Sequence, residues 1–243
     1  MRDYKVELEK RIEFVRGKLA ESGAKGIIFG NSGGKDSALV GIICKMACEN
    51  TEGIILPCSS KRNFGEDMAD GLAVAEQFGI KNRTIDLTPL KDLLVETLKP
   101  HTELNNQATS NMAPRLRMIS LYAVAAAENR LVAGTGNRSE AYMGYFTKWG
   151  DGAYDFNPIY DLTVGEIYEF LAYLEAPENI IKKAPSAGLF EGQTDEAEMG
   201  VTYAAIDRYI LTGEADPKDK EIIDRYHRVS EHKRRMPDVY GGR

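Results

Sequence analysis

The chain has 243 residues, of which 43% are hydrophobic and 28% charged, and its formal net charge at pH 7 is −6. This composition excludes wholesale disorder, and the negative charge argues against a protein that binds nucleic acid chiefly by electrostatics. No apolar run approaches a membrane span, and the length suits one α/β domain rather than two enzymes. We therefore expect a single domain over residues 1–243, with neither a membrane nor a nucleic acid as its partner.

The first predicted element is a surface helix. Its apolar residues recur at spacings of four, three and four among charged residues, and they are Leu8, Ile12, Val15 and Leu19. This is the stripe of an amphipathic helix and not the continuous apolar core of a signal peptide. The pattern predicts a cytoplasmic location.

The segment from Gly30 to Ser37, GNSGGKDS, is the most informative feature of the chain. It follows a short apolar run at 26–29 and precedes residues at helical spacing, namely Ala38, Leu39, Ile42, Ile43 and Met46. A glycine turn at a helix N-terminus presents backbone amides to anions, so the segment predicts a phosphate loop. It has neither the Walker spacing nor the dinucleotide fingerprint. The alternative is a plain turn in which Asp36 or Ser37 caps the helix.

Four apolar, β-branched runs alternate with helical patterns along the chain, at residues 26–29, 53–57, 83–87 and 130–134. This alternation predicts a doubly wound parallel sheet flanked by helices, a Rossmann-like α/β fold. Ligands of such sheets bind at the carboxyl ends of the strands. We therefore expect the segments after the runs to meet on one rim, at residues 31, 58–64, 86–89 and 135–140.

The second half of the chain reads as helical. Residues 116–127 are apolar nearly all round, which predicts a buried helix or one that packs against a second subunit. The acidic segment 190–198 predicts a mobile loop that leads into a helix with Asp195 and Glu196 in its first turn. Two C-terminal stripes have helical spacing: Val164, Ile167, Tyr168, Leu171 and Leu174, then Met199, Tyr203, Ile206 and Ile210.

Three cysteines occur, Cys44, Cys48 and Cys58. An odd number without an export signal does not indicate a disulfide framework. Cys44 and Cys48 could share a metal ion with Cys58, but no fourth cysteine or nearby histidine completes a tetrahedral set. We expect these side chains to behave as small apolar residues.

Several motifs together resemble a known family. The loop SGGKDS at 32–37 is similar to the signature of the N-type ATP pyrophosphatases, which cleave ATP between its α- and β-phosphates. Five further segments resemble the NAD synthetases: GTGNRSE at 134–140, GYFTKWGDG at 144–152, DFNPI at 155–159, APSAGL at 184–189 and EHKR at 231–234. The resemblance extends over about residues 30 to 234.

This resemblance implies a reaction. ATP adenylates the nicotinate carboxylate of deamido-NAD, pyrophosphate leaves, and ammonia attacks the acyl adenylate. The family positions imply that Asp36 and Glu140 bind Mg²⁺ and that Asp36, Glu140 and Lys148 are catalytic. Those for ATP are Gly30, Asn31, Ser32, Gly33, Gly34, Lys35, Asp36, Ser37, Thr135 and Ser186. Those for deamido-NAD are Arg115, Lys148, Asp155, His232 and Lys233. The family is also a homodimer with the deamido-NAD site at the subunit boundary, and the apolar helix from Leu116 is a candidate for the interface.

Each assigned residue also has a simpler interpretation. Glu140 stands three residues after Asn137 and could merely complete a capping box. Arg115 and Lys148 could be solvated surface charges. His232 could be an ordinary exposed histidine in a charged terminal helix.

One position departs from the family pattern. The helix after the Asp-x-x-Pro segment usually begins with a lysine that reaches ATP, and the corresponding residue here is Val164. Lys182 or Lys183 could substitute for it. The loop residue Lys35, where the family often has a small or neutral side chain, could also supply the missing charge.

The length of the chain bears on the source of the nitrogen, and two other functions are also compatible with the sequence. Glutamine-dependent relatives carry a separate amidohydrolase domain with its own cysteine nucleophile, for which this length leaves no room. We therefore expect free ammonia, or ammonia delivered by another protein. One alternative is an amide ligase or thiolase of the same loop class that acts on another acid. The other is an ATP-binding regulator without turnover, against which the presence of both Asp36 and Glu140 argues.

Overall fold

A parallel four-stranded sheet forms the centre of the protein, for which a computed structural model describes residues 2–60, 64–183 and 194–241. Its strands are β1 (Gly26–Gly30), β2 (Thr51–Ile55), β3 (Lys81–Thr84) and β4 (Arg130–Ala133), in the order β3-β2-β1-β4. The chain runs outward from β1 to β3 and then returns to β4 on the other side of β1. The carboxyl ends of β1 and β4 therefore flank the point where the winding reverses, which is the usual ligand crevice of such sheets.

Helices cover both faces of this sheet. In chain order they are α1 (Tyr4–Ser22), α2 (Lys35–Ala47), α3 (Glu66–Phe78), α4 (Thr88–Leu98), α5 (Asn106–Ser110), α6 (Met112–Glu128), α7 (Arg138–Met143), α8 (Val164–Tyr173), α9 (Glu178–Lys182), α10 (Asp195–Met199), α11 (Tyr203–Thr212), α12 (Pro217–Val229) and α13 (Glu231–Arg234). The predicted doubly wound α/β fold with C-terminal helices is confirmed.

The two faces of the sheet carry separate apolar cores. Because strand side chains alternate, Ile27 joins the core with α1, α2, α3 and α8, whereas Ile28 joins the core with α6. Val15 is the fully buried apolar residue of α1, which confirms that this helix lies at the surface with one face inward. Helix α2 is buried along most of its length, but Met46, predicted as part of its stripe, is exposed in the last turn.

Two strand boundaries predicted from apolar runs are wrong by about two residues. β2 begins at Thr51 instead of residue 53, and β3 covers 81–84 instead of 83–87. β3 is an edge strand whose polar side chains lie partly in solvent, and its place in the sheet comes from backbone pairing with β2. The apolar residue Leu87 follows the strand and is buried in the core beneath α6.

In the single protomer, the prediction of a buried helix over residues 116–127 is wrong. Of these residues only Ala125 is buried, and Ile119 is 58% exposed. The reason is that α6 packs on β1 and β4 and also contacts α4 and α5, and these contacts leave several of its apolar side chains in solvent. The other predicted possibility, packing against a second subunit, remains open.

The C-terminal helices follow their predicted stripes. Val164, Ile167 and Leu171 are buried on α8. α10 begins with Asp195 and Glu196 in its first turn, as predicted, and ends at Gly200 in the left-handed conformation. The stripe around Tyr203 continues on α11 and forms a third apolar cluster with α7 and α12. The predicted loop at 190–193 lies outside the described residues.

Two smaller findings concern membranes and cysteines. In the described ranges, no helix combines the length and apolar character needed to cross a bilayer. Cys44 and Cys58 are buried and Cys48 is half-buried, all with free thiols.

Candidate active site

A cavity of about 590 Å³ opens at the carboxyl ends of β1, β2 and β4. Residues 30–32 and 132–136 line it, in agreement with the predicted rim segments at 31 and 135–140. From the second strand the lining comes from residues 54–57 and not from the predicted segment 58–64, of which residues 61–63 lie outside the described residues. The predicted rim segment 86–89 does not line it, because it follows the edge strand β3, two strands away from β1. The cavity therefore centres on the point where the winding of the sheet reverses.

The glycine loop turns directly from β1 into α2. Gly33 has a φ of +69°, and a Cβ atom built there would lie 1.9 Å from the carbonyl oxygen of Asp67. Only glycine fits this close approach in a left-handed conformation. Gly34 is the N-cap of α2, and Asp36 lies in its first turn. The helix N-terminus, with its partial positive charge, is thus placed at the cavity.

Polar side chains of the loop fix its shape. The Asn31 Nδ2 donates to the carbonyl of Gly71 at 3.1 Å and to the Asn82 Oδ1 at 2.9 Å, and its Oδ1 accepts from the Gly33 amide. The Ser32 Oγ lies 3.1 Å from the Ser37 Oγ. Asn31 and Ser32 also line the cavity, whereas Ser37 does not.

Asp36 and Glu140, predicted as metal ligands, both line the cavity after the paired strands β1 and β4, and Asn137 donates a hydrogen bond to each of them. The Asp36 Oδ1 accepts a hydrogen bond from the Asn137 Nδ2 at 3.0 Å. Glu140 does complete a capping box with Asn137, and it lines the cavity as well. Burial and the nearby charge of Asp36 raise the pKa of Glu140 well above its usual value. The capping interpretation is therefore confirmed, and the role of Glu140 as a metal ligand stays a prediction.

Lys35 lies beside these carboxylates. Its Nζ is 2.7 Å from the Asp36 Oδ2, and the residue is only 6% exposed. Burial opposes its charge, but Asp36 and Glu140 prevail and raise the pKa of Lys35 above its ordinary value. The rings of Tyr168 and Tyr203 lie 6.0 and 5.7 Å from this ammonium.

Several residues at the base of the cavity were missed by the sequence reasoning. Tyr168 and Tyr203 were interpreted as core positions of apolar stripes, yet both face Lys35. The Tyr203 hydroxyl donates to the Asp195 Oδ2 at 3.0 Å, and Asp195 is buried and lines the cavity. The available signal was the hydroxyl itself, since a buried tyrosine needs a polar partner.

Arg117 and Asp151 were missed as well, and both line the cavity. The Arg117 Nε donates to the carbonyl of Leu56 at 2.9 Å, and burial lowers the pKa of Arg117. Asp151 accepts from the Thr147 amide at 3.0 Å, and burial raises the pKa of this carboxyl group. Asp151 belongs to the 144–152 motif, so its position in that motif was the signal.

The lysine missing from the family pattern is not replaced at position 164. Val164 is 3% exposed and packs in the apolar cluster with Met199. Lys182 pairs with Glu178 at the surface and does not line the cavity. Lys183 does line it, and so does Lys35. Positive charge therefore reaches the loop from Lys35 and Lys183.

Four of the residues predicted for the second substrate lie together at one side of the cavity, around Lys233, and we call this region the cavity mouth. The Arg115 Nη2 donates to the Lys148 carbonyl at 3.3 Å, and the Lys148 Nζ donates to the His232 carbonyl at 2.7 Å. The Lys233 Nζ donates to the carbonyls of Gly144 and Phe146, and burial lowers the pKa of Lys233. The start of α6, the 144–152 segment and α13 thus present cations together. Lys233 lines the cavity, and the other three lie outside it.

The remaining predicted residues are dispersed. Thr135 lines the cavity. Asp155 lies beside β4, where its Oδ2 accepts from the Val132 amide at 2.7 Å and its Oδ1 from the Tyr122 hydroxyl at 3.2 Å. Ser186 lies outside the described residues.

The donor set fits Mg²⁺ bound together with a nucleotide. In the part of the chain that the structure describes, no group of three or more acidic, histidine or cysteine side chains could hold an ion. Asp36 and Glu140 supply two carboxylates in a cavity entered by a phosphate loop. Mg²⁺ characteristically takes one or two carboxylates and completes its shell with phosphate oxygens and water.

Comparisons with known proteins identify the family of the chain. The sequence profile described as NAD synthase matches residues 7–240. An "NH(3)-dependent NAD(+) synthetase" of Carboxydothermus hydrogenoformans is 47% identical over 98% of each chain. Another, of Archaeoglobus fulgidus, is 41% identical over 96% of this chain and 95% of that one.

Two solved structures are also similar over nearly their whole length. The NMN synthetase of Francisella tularensis superposes with a TM-score of 0.93 at 37% identity, covering 99% of this chain and 100% of that one. The NH3-dependent NAD synthetase of Campylobacter jejuni superposes with a TM-score of 0.79 at 31% identity, covering 98% and 99%.

Proposed function

The chain belongs to the NAD synthase family, and from this premise we propose that it converts deamido-NAD, ATP and ammonia into NAD⁺, AMP and pyrophosphate. It is a ligase of NAD biosynthesis that forms a C–N bond, and ATP is its co-substrate. The observation that carries the specific reaction is the junction of the glycine loop with Asp36 and Glu140 at the reversal point of the sheet.

The reaction needs two substitutions. A carboxylate is a poor acyl donor, so one of its oxygens first attacks the α-phosphorus of ATP and pyrophosphate leaves. Ammonia then attacks the acyl carbon, loses a proton, and AMP leaves with the oxygen that came from the carboxylate. Both steps depend mainly on positioning and on neutralising phosphate charge.

We assign the ATP phosphates to the loop Gly30–Ser37. The support is the close approach allowed by Gly33 and the N-terminus of α2 at the cavity. Thr135, which lines the same cavity, would contact ATP farther out. Ser186 stays an assignment from the family resemblance alone.

We assign Mg²⁺ to Asp36 and Glu140. Both carboxylates belong to the base of the cavity, and Asn137 holds Asp36 through a hydrogen bond. Bound there, the ion would offset the negative charge of the phosphates.

We assign deamido-NAD to the cations Arg115, Lys148 and Lys233 at the cavity mouth, together with His232 and Asp155. Positive charge suits a substrate that carries a pyrophosphate and a carboxylate. The contacts among Arg115, Lys148 and His232 support a common site. Lys148 is also the cation of this group to which we assign a catalytic role.

A second candidate product is NMN. It is favoured by the higher TM-score to the NMN synthetase, 0.93 against 0.79 for the NAD synthetase of Campylobacter jejuni. The acid that yields NMN by amidation is nicotinate mononucleotide, which lacks the adenylate half of deamido-NAD. The adenylation chemistry is the same for both acids, so only the recognition of the substrate would differ.

One product assay separates these functions. The protein is incubated with ATP, Mg²⁺ and ammonium plus either deamido-NAD or nicotinate mononucleotide, and AMP, NAD⁺ and NMN are measured. We expect a higher kcat/KM for deamido-NAD. A higher value for the mononucleotide would establish the second candidate. If no AMP forms with either acid, both candidates are contradicted.

We also propose that the protein is a homodimer in which the single unit 1–243 acts as one catalytic domain. Helix α4 has no buried residue, and Leu90, Leu93 and Ile119 form an exposed apolar surface on α4 and α6. Light scattering after size-exclusion chromatography would test the dimer, with Leu93→Glu expected to give monomers.

A cytoplasmic location also stays a prediction, which cell fractionation would check.

A further inference from the structure

A cation of the chain itself already occupies the place beside the proposed metal ligands. The Lys35 Nζ lies 2.7 Å from the Asp36 Oδ2, and the negative charge of Glu140 acts on the same ammonium. Lys35 is 6% exposed and lines the cavity at the start of α2. Any other cation that binds Asp36 and Glu140 must therefore share this small space with a buried ammonium.

The ammonium of Lys35 is held by few directional bonds. An ammonium has three N–H donors, and in the described part of the chain Asp36 is its one hydrogen-bond acceptor. The rest of its surroundings includes the faces of Tyr168 and Tyr203, at 6.0 and 5.7 Å. Such cation–π contacts tolerate displacement better than hydrogen bonds do.

Lys183 provides a contrast within the same cavity. Its Nζ donates to the Asp67 Oδ1 at 2.8 Å, to the Asp70 Oδ2 at 2.6 Å and to the Gly33 carbonyl at 3.4 Å. Three donors meet three acceptors, so this lysine is fixed between α3 and the loop. Lys35, with one acceptor on a flexible four-carbon stem, is free to exchange partners.

We propose that Lys35 is an exchangeable counter-ion, which offsets part of the negative charge of Asp36 and Glu140 in the nucleotide-free protein and transfers to phosphate oxygens when magnesium binds with ATP. This inference rests on the proposed function, since it takes Asp36 and Glu140 as the metal ligands.

The transfer follows from the charges. A dication and an ammonium on the same half-buried carboxylates repel each other more strongly than they would in bulk water. A buried ammonium that leaves its carboxylate needs another anion. Lys35 opens α2 directly after the phosphate loop, so phosphate oxygens bound to that loop lie within reach of its side chain. Magnesium bound without nucleotide would leave Lys35 unpaired. We therefore expect magnesium to bind weakly until ATP is present.

The test is metal affinity rather than turnover. Mn²⁺, which is visible by electron paramagnetic resonance, is titrated into EDTA-treated full-length protein with and without α,β-methylene-ATP. Without nucleotide, we expect Lys35→Met to bind Mn²⁺ about tenfold more tightly than the unaltered chain, because the competing charge is gone. With the analogue, we expect this variant to bind Mn²⁺ no more tightly than the unaltered chain, because Lys35 no longer stabilises the phosphates. A purely structural lysine would not produce this difference between the two titrations.

Two further variants complete the design. Lys182→Met removes a surface lysine that pairs with Glu178 and does not line the cavity, and we expect its nucleotide-free Mn²⁺ affinity to equal that of the unaltered chain. Lys35→Arg keeps the positive charge, so weak nucleotide-free binding should persist even if Lys35→Met does not fold.

Three outcomes would overturn the inference. One is equal Mn²⁺ affinity of Lys35→Met and the unaltered chain without nucleotide, and another is tight nucleotide-free binding by Lys35→Arg. The third is that neither the unaltered chain nor any variant binds Mn²⁺ even with the analogue, which would refute the proposed metal ligands themselves. Because the first two leave metal binding with nucleotide intact, the failure of the inference is distinguishable from that of the proposed function.

Discussion

The carboxylates at the two ends of the sheet have different numbers of positively charged partners. At the amino ends, Glu52 of β2 accepts from the Arg83 Nε at 2.6 Å and from the Arg130 Nη1 at 2.7 Å, and Glu128 pairs with both arginines. Two carboxylates there meet two guanidinium groups. At the carboxyl ends, Lys35 meets Asp36 and Glu140.

The pKa values show the consequence. Hydrogen bonding to Arg83, with the charges of Arg83 and Arg130, lowers the pKa of Glu52. Burial and the charge of Asp36 raise the pKa of Glu140 well above its usual value. The same residue type is therefore stabilised as an anion at one end and opposed as an anion at the other. At the amino ends, two guanidinium groups match the charge of two carboxylates. At the carboxyl ends, one ammonium faces two carboxylates, so a bound cation would be needed to match their charge.

The largest expected effect tests the carboxyl ends. Asp36→Asn removes a metal-binding charge with almost no change in volume, so we expect AMP formation with deamido-NAD to fall about a thousandfold or more. We expect the melting temperature to change less than in Glu52→Gln. AMP release near the rate of the unaltered chain would show that Asp36 does not hold the metal.

The next effect tests the amino ends. Glu52→Gln leaves two arginines without their shared carboxylate, and because Arg83 is partly exposed we expect a loss of about 2 kcal/mol in the free energy of unfolding. Urea denaturation would measure it. AMP formation at temperatures below the transition should remain unchanged, since Glu52 lies at the opposite end from the cavity. A loss of activity without a loss of stability would contradict the contrast between the two ends.

The pH dependence of this loss sharpens the comparison. Since the pKa of Glu52 is lower in the folded than in the unfolded chain, its stabilising contribution is fully present above the unfolded value of about 4.3. The contribution disappears as the pH falls through the lowered pKa. The difference in unfolding free energy between the unaltered chain and Glu52→Gln should therefore shrink in acid. A difference that grows below pH 4 would reverse the assigned direction.

The smallest expected effect concerns the cavity mouth, where charge is more exposed than at the base. For Lys148→Ala we expect the KM for deamido-NAD to rise about tenfold while the KM for ATP changes little. Fluorescence of Trp149, the only tryptophan of the chain, gives an independent binding readout beside Lys148. An equal rise in the KM values for deamido-NAD and ATP would show that Lys148 does not act on deamido-NAD alone.

Local patterns explain why part of the molecule was predictable from sequence. The loop at 30–37 and the alternation of strands and helices along the chain follow from glycine positions and hydrophobic periodicity, whereas the choice of Asp36 and Glu140 as a pair came from the family resemblance. Each of these signals depends on residues that are close in sequence or on a topological rule.

Features set by tertiary packing were not predictable in the same way. The edge strand β3 is polar, and its position comes from backbone pairing with β2. Tyr203 satisfies an apolar stripe and also faces Lys35 from a helix far along the chain. The contact between Lys35 and Asp36 is between neighbours, but its buried setting depends on α7, α8 and α11. Sequence periodicity identifies the buried face of a helix and not the polar group that it meets.

The central claim is that the carboxyl-end cavity activates an acid by adenylation. Deamido-NAD labelled with ¹⁸O in its nicotinate carboxylate, incubated with the protein, ATP, Mg²⁺ and ammonium, tests it most directly. We expect AMP that carries one ¹⁸O atom, detected by mass spectrometry together with unlabelled pyrophosphate. Unlabelled AMP, or ADP with labelled inorganic phosphate, would contradict the claim.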